Sequence, residues 1–321
     1  MAFNRLPIEL LDTICDSLDH RRDLVALSTT NSTLYHVAHR LLYKHISAFQ
    51  NTPSLKVTTL LAHRPDLARH VRSFAIVLDP ANEQPTSYFN SLATALHNMP
   101  DIESLKLTID PAMSWVLPHA SSVRYPRLRD FTCVFSFDHH VAQFLGKTGA
   151  LVHLELGHDL NSQTPLPELL PAWLPNLESF AGSSQVAQAI VPGRPVSSIS
   201  MHSGDLTEGV VQELAKSTAA ILFLDATTAS LPLPLLEAMA SAIPELQELR
   251  LATTYNLWDE WFKTPFIKNI KSALISMDNL QTAEVSGMLW RWLTKDGRVL
   301  ANEPQVPTDN LDDDDSSYFH A

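Results

Sequence analysis

Apolar positions along the chain fall into two rhythms. From Leu6 to about Ile46 they recur at helical spacing. Leu10, Leu11, Ile14, Cys15 and Leu18 form one stripe, Leu24 and Leu27 a second, and Leu34, Val37, Ala38, Leu41 and Leu42 a third. Pro7 suits a first helical position, and Glu9 suits a first turn, where the helix dipole favours negative charge. "DHRRD" and "TTNS" interrupt the pattern, with Asp23 and Ser32 expected to cap the second and third helices. Three helices this short expose more apolar surface than they can bury on one another. Part of it must face the rest of the chain or a partner.

Beyond Ile46 the rhythm changes to short alternating pieces of the form apolar-x-x-apolar-x-apolar. They begin at Val71, Ile102, Leu128, Leu151, Leu177, Val196, Ala219, Leu246 and Leu280. The steps between them are 31, 26, 23, 26, 19, 23, 27 and 34 residues, close to the ~20–29 residues of leucine-rich units. "YFNSLATALHNMP", "TEGVVQELAKST" and "LPLLEAMASAIP" read as helices returning after the first, sixth and seventh pieces. The third and fifth are followed by short or Pro-broken segments, which predict irregular connections. Pro precedes the next piece in "MPDIESL", "YPRLRDF", "LPNLESF" and "IPELQEL", ending one element and turning the chain into the next. A strand with a returning helix buries its apolar face only when units stack. The expected class is therefore α/β: a three-helix block, then a curved leucine-rich-repeat-like solenoid of about nine strand–helix units. The recurring Pro phrase, the narrow spacing and the lack of a Gly-rich strand-to-helix turn favour this array over an ordinary α/β sheet.

The 321 residues carry a net charge of 23 − 35 = −12. From Glu303 onward there are six acids and no Lys or Arg, so the remainder carries 23 − 29 = −6. Phosphate-backbone binding needs clustered cations, so nucleic acid is not an expected partner. No apolar run reaches 18 residues, so no membrane span is expected. The two cysteines, Cys15 and Cys133, lie in apolar stretches and read as buried thiols of a reducing compartment. The start of the chain lacks the charge and apolar pattern of a secretion signal, so a cytoplasmic or nuclear location is expected. The end, "ANEPQVPTDNLDDDDSSYFHA", reads as a disordered acidic tail, with docking or phosphorylation at "LDDDDSSYF" the minority reading.

Candidate chemistry is sparse. Gly146-Lys147-Thr148 in "FLGKTGA" imitates the end of a phosphate-binding loop, but the position that needs another Gly is Val141 and no strand leads into it. "FDHH" sets Asp138 beside His139 and His140, yet adjacent residues do not share a face, so a helix cap by Asp138 is the better account. The 14 histidines are scattered, and no nucleophile elbow is present. Trp258, Trp261 and Phe262, and likewise Leu289 and Leu293, lie at helical spacing and read as core or end-cap packing of the last repeat. No catalytic residue, cofactor site or metal site is assigned, and the chain is not read as an enzyme.

The first segment resembles the F-box motif. "LPIELLDTICDSLDHRRDLVALSTTNSTLYHVAHRLLYKHI" carries Leu6-Pro7, Glu9, Leu10, Ile14, Leu18, Asp23-Leu24, Leu27, Leu34, Ala38 and a closing Leu41-Leu42-Tyr43 in the order and spacing of that motif. It departs in having "NSTLYH" mid-motif in place of a basic-aromatic element, and Tyr43 where Trp is common. The match spans about 41 of 321 residues. In that family the three helices dock on the Skp adaptor of a cullin–RING ubiquitin ligase, and leucine-rich repeats often select a protein substrate. The resemblance thus implies an F-box at 1–48, a substrate-recognition domain at 49–300 and the tail at 301–321. It implies adaptor contacts at Leu6, Pro7, Ile8, Leu10, Leu11 and Ile14.

The substrate side would be the outward side chains of the strands, which alternate with the buried ones. The candidates are Lys106, Thr108, Asp130, Thr132, His153, Glu155, His202, Phe223, Asp225, Glu248 and Arg250. The substrate itself is not named by this mixed-charge set. A scaffold that keeps the F-box but works outside any ligase is the alternative reading.

Overall fold

The computed structural model describes residues 7–18, 20–30, 32–49, 52–79, 84–118, 123–157, 165–254, 264–295 and 298–301. Three helices open it: α1 (Ile8–Asp16), α2 (Arg21–Ser28) and α3 (Ser32–Lys44). Pro7 sits one position earlier than expected, as the residue before α1. Asp23 lies in the first turn of α2 and Ser32 is the first residue of α3, so neither is the cap expected of it. Both still lie where helix N-termini favour oxygen and negative charge. Leu11, Cys15, Leu24, Leu34 and Val37 form a small apolar cluster separate from the main core, with Leu18, Leu27, Leu41 and Leu42 against it.

The helical pattern ends at Lys44, and the chain passes directly into β1 (His45–Ala48). Nine further parallel strands follow: β2 (Ser73–Val77), β3 (Ser104–Thr108), β4 (Asp130–Cys133), β5 (His153–Glu155), β6 (Ser179–Ser183), β7 (Ser198–Ser203), β8 (Phe223–Thr228), β9 (Glu248–Thr253) and β10 (Thr282–Val285). Each pairs with the next in strict chain order. The chain is α/β in class. The apolar phrase explains the order. Its three positions are buried in each unit from β2 to β10, for example Val71, Phe74 and Ile76, or Leu246, Leu249 and Leu251. One carbonyl per unit then accepts N–H bonds from two consecutive residues of the next, from Arg72 O (Glu103 and Ser104) through to Gln247 O (Gln281 and Thr282). Pro100, Pro126, Pro175 and Pro244 follow the first residue of a tight turn closed by Ile102→Met99, Leu128→Tyr125, Leu177→Leu174 and Leu246→Ile243 N–H···O bonds, where proline's fixed φ is suited.

Two phases differ from expectation. The seventh piece starts at Ile221, not Ala219: Ile221, Leu224 and Ala226 are buried while Leu222 is exposed. The steps on either side become 25 and 25 residues. The stack also begins one unit earlier, since Tyr43, Ile46 and Ala48 carry the same phrase and β1 pairs in register with β2.

The connections run behind the sheet. α4 (Thr52–His63) and α5 (Pro65–Ala68) join β1 to β2, and α6 (Thr86–His97) joins β2 to β3. The third and fifth pieces, expected to lead into irregular segments, lead into short helices instead: α7 (His139–Leu145) and α8 (Ser184–Ile190). Both are capped, by Asp138 accepting from Val141 N (2.9 Å) and Ser183 Oγ accepting from Val186 N (3.3 Å), which is how so short a helix starts cleanly. The second piece leads into a 3₁₀ turn (Pro111–Val116), and after the fourth no helix occurs among the described residues. α9 (Glu208–Leu214) and α10 (Pro232–Ala242) follow as expected, and α11 (Thr264–Ile275) precedes β10.

The stack ends in a reversal. β11 (Met288–Lys295) returns antiparallel to β10, and β12 (Arg298–Ala301) pairs antiparallel with β11. Ser286 (φ 52°) and Gly287 (φ 82°) make the two-residue turn, the pair of positive φ values that such hairpins require. Leu289 and Leu293 therefore lie on a strand, not a helix, and Trp290 fills the end of the core, fully buried opposite Ala283. Trp258, Trp261, Phe262 and the tail after Ala301 lie outside the described residues. No helix among the described residues is long and apolar enough to cross a membrane.

Candidate functional site

The α1 helix splits its apolar residues between two sides. Leu11 is 1% exposed and belongs to the small internal cluster, so it is core and not docking surface. Leu10 and Ile14, one turn apart, stay 50% and 43% exposed. Pro7 is exposed beside them. Leu6 and the side chain of Ile8 lie outside the described residues. On the neighbouring helices Val25 and Tyr35 are also exposed. Asp12 and Asp16 lie on the other side of α1, ion-paired with Arg40 and Lys44 of α3.

All the candidate residues on the strands point out of the sheet, and the register sets their neighbours. One row runs Ser104, Asp130, His153, Ser179, Ser198, Phe223, Glu248 and Thr282; the next runs Lys106, Thr132, Glu155, Ala181, Ser200, Asp225, Arg250 and Glu284. The fold gathers the candidates into two groups with small residues between. In the first, Lys106, Thr108, Thr132, Glu155 and His202 line a cavity of about 350 Å³. Thr132 Oγ1 donates to Glu155 Oε2 (3.2 Å), and His153 Nε2 lies 3.9 Å from Asp130 Oδ1. In the second, Arg250 donates to Glu248 Oε1 (2.8 Å) and its guanidinium lies 5.5 Å over the Phe223 ring, a favourable cation–π placement. Asp225 adjoins Arg250 in register. Such a face can make polar and ionic contacts with a polypeptide. Cys133 borders the cavity, and burial pushes its thiol up to about 12, which favours the protonated form.

The imitation phosphate loop is spent on packing. A Cβ on Gly146 would meet the Trp173 indole at 2.7 Å. Lys147 Nζ donates to Pro118 O (2.8 Å), and the buried Thr148 hydroxyl donates to Leu145 O (2.8 Å). Asp138 caps α7 and accepts from Ser114, as its place before a helix suggests. No group of three metal-binding side chains occurs among the described residues.

One grouping escaped the sequence reading. Arg40, Lys44, His70 and Arg72 converge with Asp12 and Asp16 on a cleft of about 350 Å³ between the helical block and the first units. Burial, then the Arg40 and Arg72 charges, hold the His70 pKa below its ordinary value; burial, then Arg64 and His36, lower that of His39. The available signal was the excess of Lys and Arg over acids between residues 20 and 72.

Comparison with models of known protein families finds no match for this chain, and comparison with curated proteins finds none either.

Proposed function

We propose that the chain is an F-box protein whose strand–helix units form a leucine-rich-repeat-like solenoid, and that it is the substrate-recognition subunit of a Skp–cullin–RING ubiquitin ligase. The observation that carries this reading is the half-exposed pair Leu10 and Ile14 beside the buried Leu11 and Cys15. A helix that already fills its own core and still shows two large apolar side chains on one edge is suited to a partner's groove. The resemblance over residues 6–46 supplies that partner: the Skp adaptor, linked to the cullin–RING scaffold.

On this reading α1 to α3 hold the adaptor and the outward strand face holds a protein substrate. The chain does no bond chemistry. It raises the effective concentration of substrate at a charged ubiquitin-conjugating enzyme. Parallel strands in chain order, a tight turn before most units and one shared carbonyl between successive units support the repeat assignment.

The test uses purified full-length chain and immobilised Skp adaptor. Wild type is captured; Leu10→Asp/Ile14→Asp is not, although its circular dichroism and melting are unchanged. No capture of the wild type refutes the reading. If the adaptor binds but substrate ubiquitination proceeds equally without this chain, the scaffold alternative holds.

A further inference from the structure

The second group of strand-face residues lies below a groove that neither the α1 edge nor the first cavity uses. Past the C-terminal ends of β7 and β8, the first turns of α9 and α10 enclose a space of about 510 Å³. Leu206 and Leu235, both buried, and Leu231, 43% exposed, give it an apolar lining. Its walls are braced by hydrogen bonds. Ala229 N donates to Asp205 Oδ1 (2.7 Å), Ser230 N to Thr228 Oγ1 (3.1 Å) and Val210 N to Thr207 Oγ1 (3.4 Å). A groove fixed in this way can receive a ligand without first being ordered.

Gly209 also lines this groove, and the fold does not require a glycine there. It lies in the first turn of α9, where its φ is not positive and any residue but proline is a better helix former. A Cβ at this position would meet nothing nearer than Thr207 Oγ1 at 3.8 Å. What the missing side chain leaves is open space in the groove.

The charge beside the groove is one-sided. Strands β6 to β10 with residues 204–209 and 229–235 hold five acids (Asp205, Glu208, Asp225, Glu248 and Glu284) against one Lys or Arg, Arg250, a net 1 − 5 = −4. Only Glu248 among these acids has an ion-pair partner among the described residues. That pair draws the Arg250 guanidinium to Glu248 and over the Phe223 ring, although Asp225 and Glu284 flank Arg250 in register. On its other side Asp225 adjoins Ser200, and Ser200 adjoins Ala181, so small side chains leave its carboxylate open to approach.

We propose that the groove and these acids dock a protein segment carrying a large apolar side chain and, about four residues from it, an Arg or Lys. The apolar side chain enters the groove between α9 and α10, and the cation meets Asp225, with Glu284 beyond. The spacing follows from β8: Asp225 and Ala229 are four residues apart, ~13 Å along a strand, which four residues of an extended ligand also span. The unneutralised acids argue for a cationic partner, and the apolar lining argues that charge alone does not suffice. The inference rests on the reading that the outward strand face holds a protein substrate, and it names the chemistry of that substrate.

The probe is a library of random 12-residue peptides displayed on phage, panned on the purified full chain at about 50 mM NaCl. We expect enriched peptides to share a large apolar residue with an Arg or Lys three to five positions away. A synthetic peptide of the enriched sequence, followed by fluorescence anisotropy, should bind at least tenfold more weakly at about 500 mM NaCl. Gly209→Leu, which fills the groove, and Asp225→Asn/Glu284→Gln, which removes charge, should each raise Kd at least tenfold with circular dichroism and melting unchanged. Lys106→Ala/Glu155→Gln, in the first cavity, should leave Kd within about twofold. Enrichment no better than on bare support overturns the inference. So do enriched peptides lacking either residue, or binding that survives Gly209→Leu. Capture by the immobilised Skp adaptor is measured on the same preparations. Failure there with peptide binding intact refutes the ligase reading alone, and the reverse refutes this inference alone.

Discussion

Trp173 lies flat against Gly146, so close that a Cβ added to the glycine would come within 2.7 Å of the indole ring. The contact pins the irregular stretch after β5 onto the C-terminal end of α7. Gly146→Ala should therefore cost about 1–3 kcal/mol through overpacking, read as a lower midpoint in urea unfolding. Adding Trp173→Leu should recover part of the loss. If the two substitutions are simply additive, the glycine is there for another reason.

Arg194 is 3% exposed, and among the described residues no acid is ion-paired with it. Its guanidinium donates instead to four carbonyls: Leu170 (3.2 Å), Trp173 (3.0 Å), Ile190 (2.6 Å) and Pro192 (3.3 Å). A planar fork meets this geometry and an ammonium does not. Arg194→Met leaves the carbonyls unpaired in the interior and should cost roughly 3 kcal/mol. Arg194→Lys should recover less than half. An equally stable Met variant would show that water replaces the side chain.

Neighbouring residues of α1 should respond oppositely. Leu11→Ala opens a hole in a five-residue cluster and should cost about 2–4 kcal/mol. Leu10→Ala should change stability by less than about 0.5 kcal/mol. Under the proposed function, adaptor affinity should follow the reverse order once each variant is measured below its melting temperature. A loss of stability at Leu10 would place it in the fold instead.

The two thiols report on two cores. Cys15 sits in the small cluster and Cys133 in the large one. Alkylation in rising urea should label Cys15 first, because the smaller unit opens at lower free energy. Burial raises Cys133 from the ordinary thiol value of 9.0 to about 12. The stability linked to it is whole below about pH 9 and is lost as pH climbs toward 12. Replacing Cys133 with Ala should flatten stability over that window, apart from a constant cavity cost. Simultaneous labelling of both thiols would mean one cooperative unit.

Much of the stack was legible because three apolar positions per unit repeat with a fixed internal phase. The seventh unit misled because "AAILFL" supplies apolar residues in both phases; the choice of Ile221 is made by its neighbours Val196 and Leu246, which only stacking reveals. β1 was hidden because the apolar run Leu41-Leu42-Tyr43 leads without a break from the end of α3 to Ile46 and Ala48. Leu289 and Leu293 match a helix at i and i+4, but alternation through Met288 and Trp290 prevails once Gly287 turns the chain back. At the candidate sites, alternation correctly placed every outward strand residue. It could not separate Leu10 from Leu11, since that depends on which side of α1 meets α2 and α3. The cleft of Arg40, Lys44, His70 and Arg72 joins residues from separate elements, so no single motif announced it.

A stack of parallel strands has no natural last member; each edge is a template for another copy's first unit. The turn at Ser286 and Gly287 removes that template by presenting a strand of opposite polarity, out of phase with the repeated phrase. The hairpin is thus a guard against runaway fibre growth, and shortening this protein at residue 285 should make copies assemble end to end.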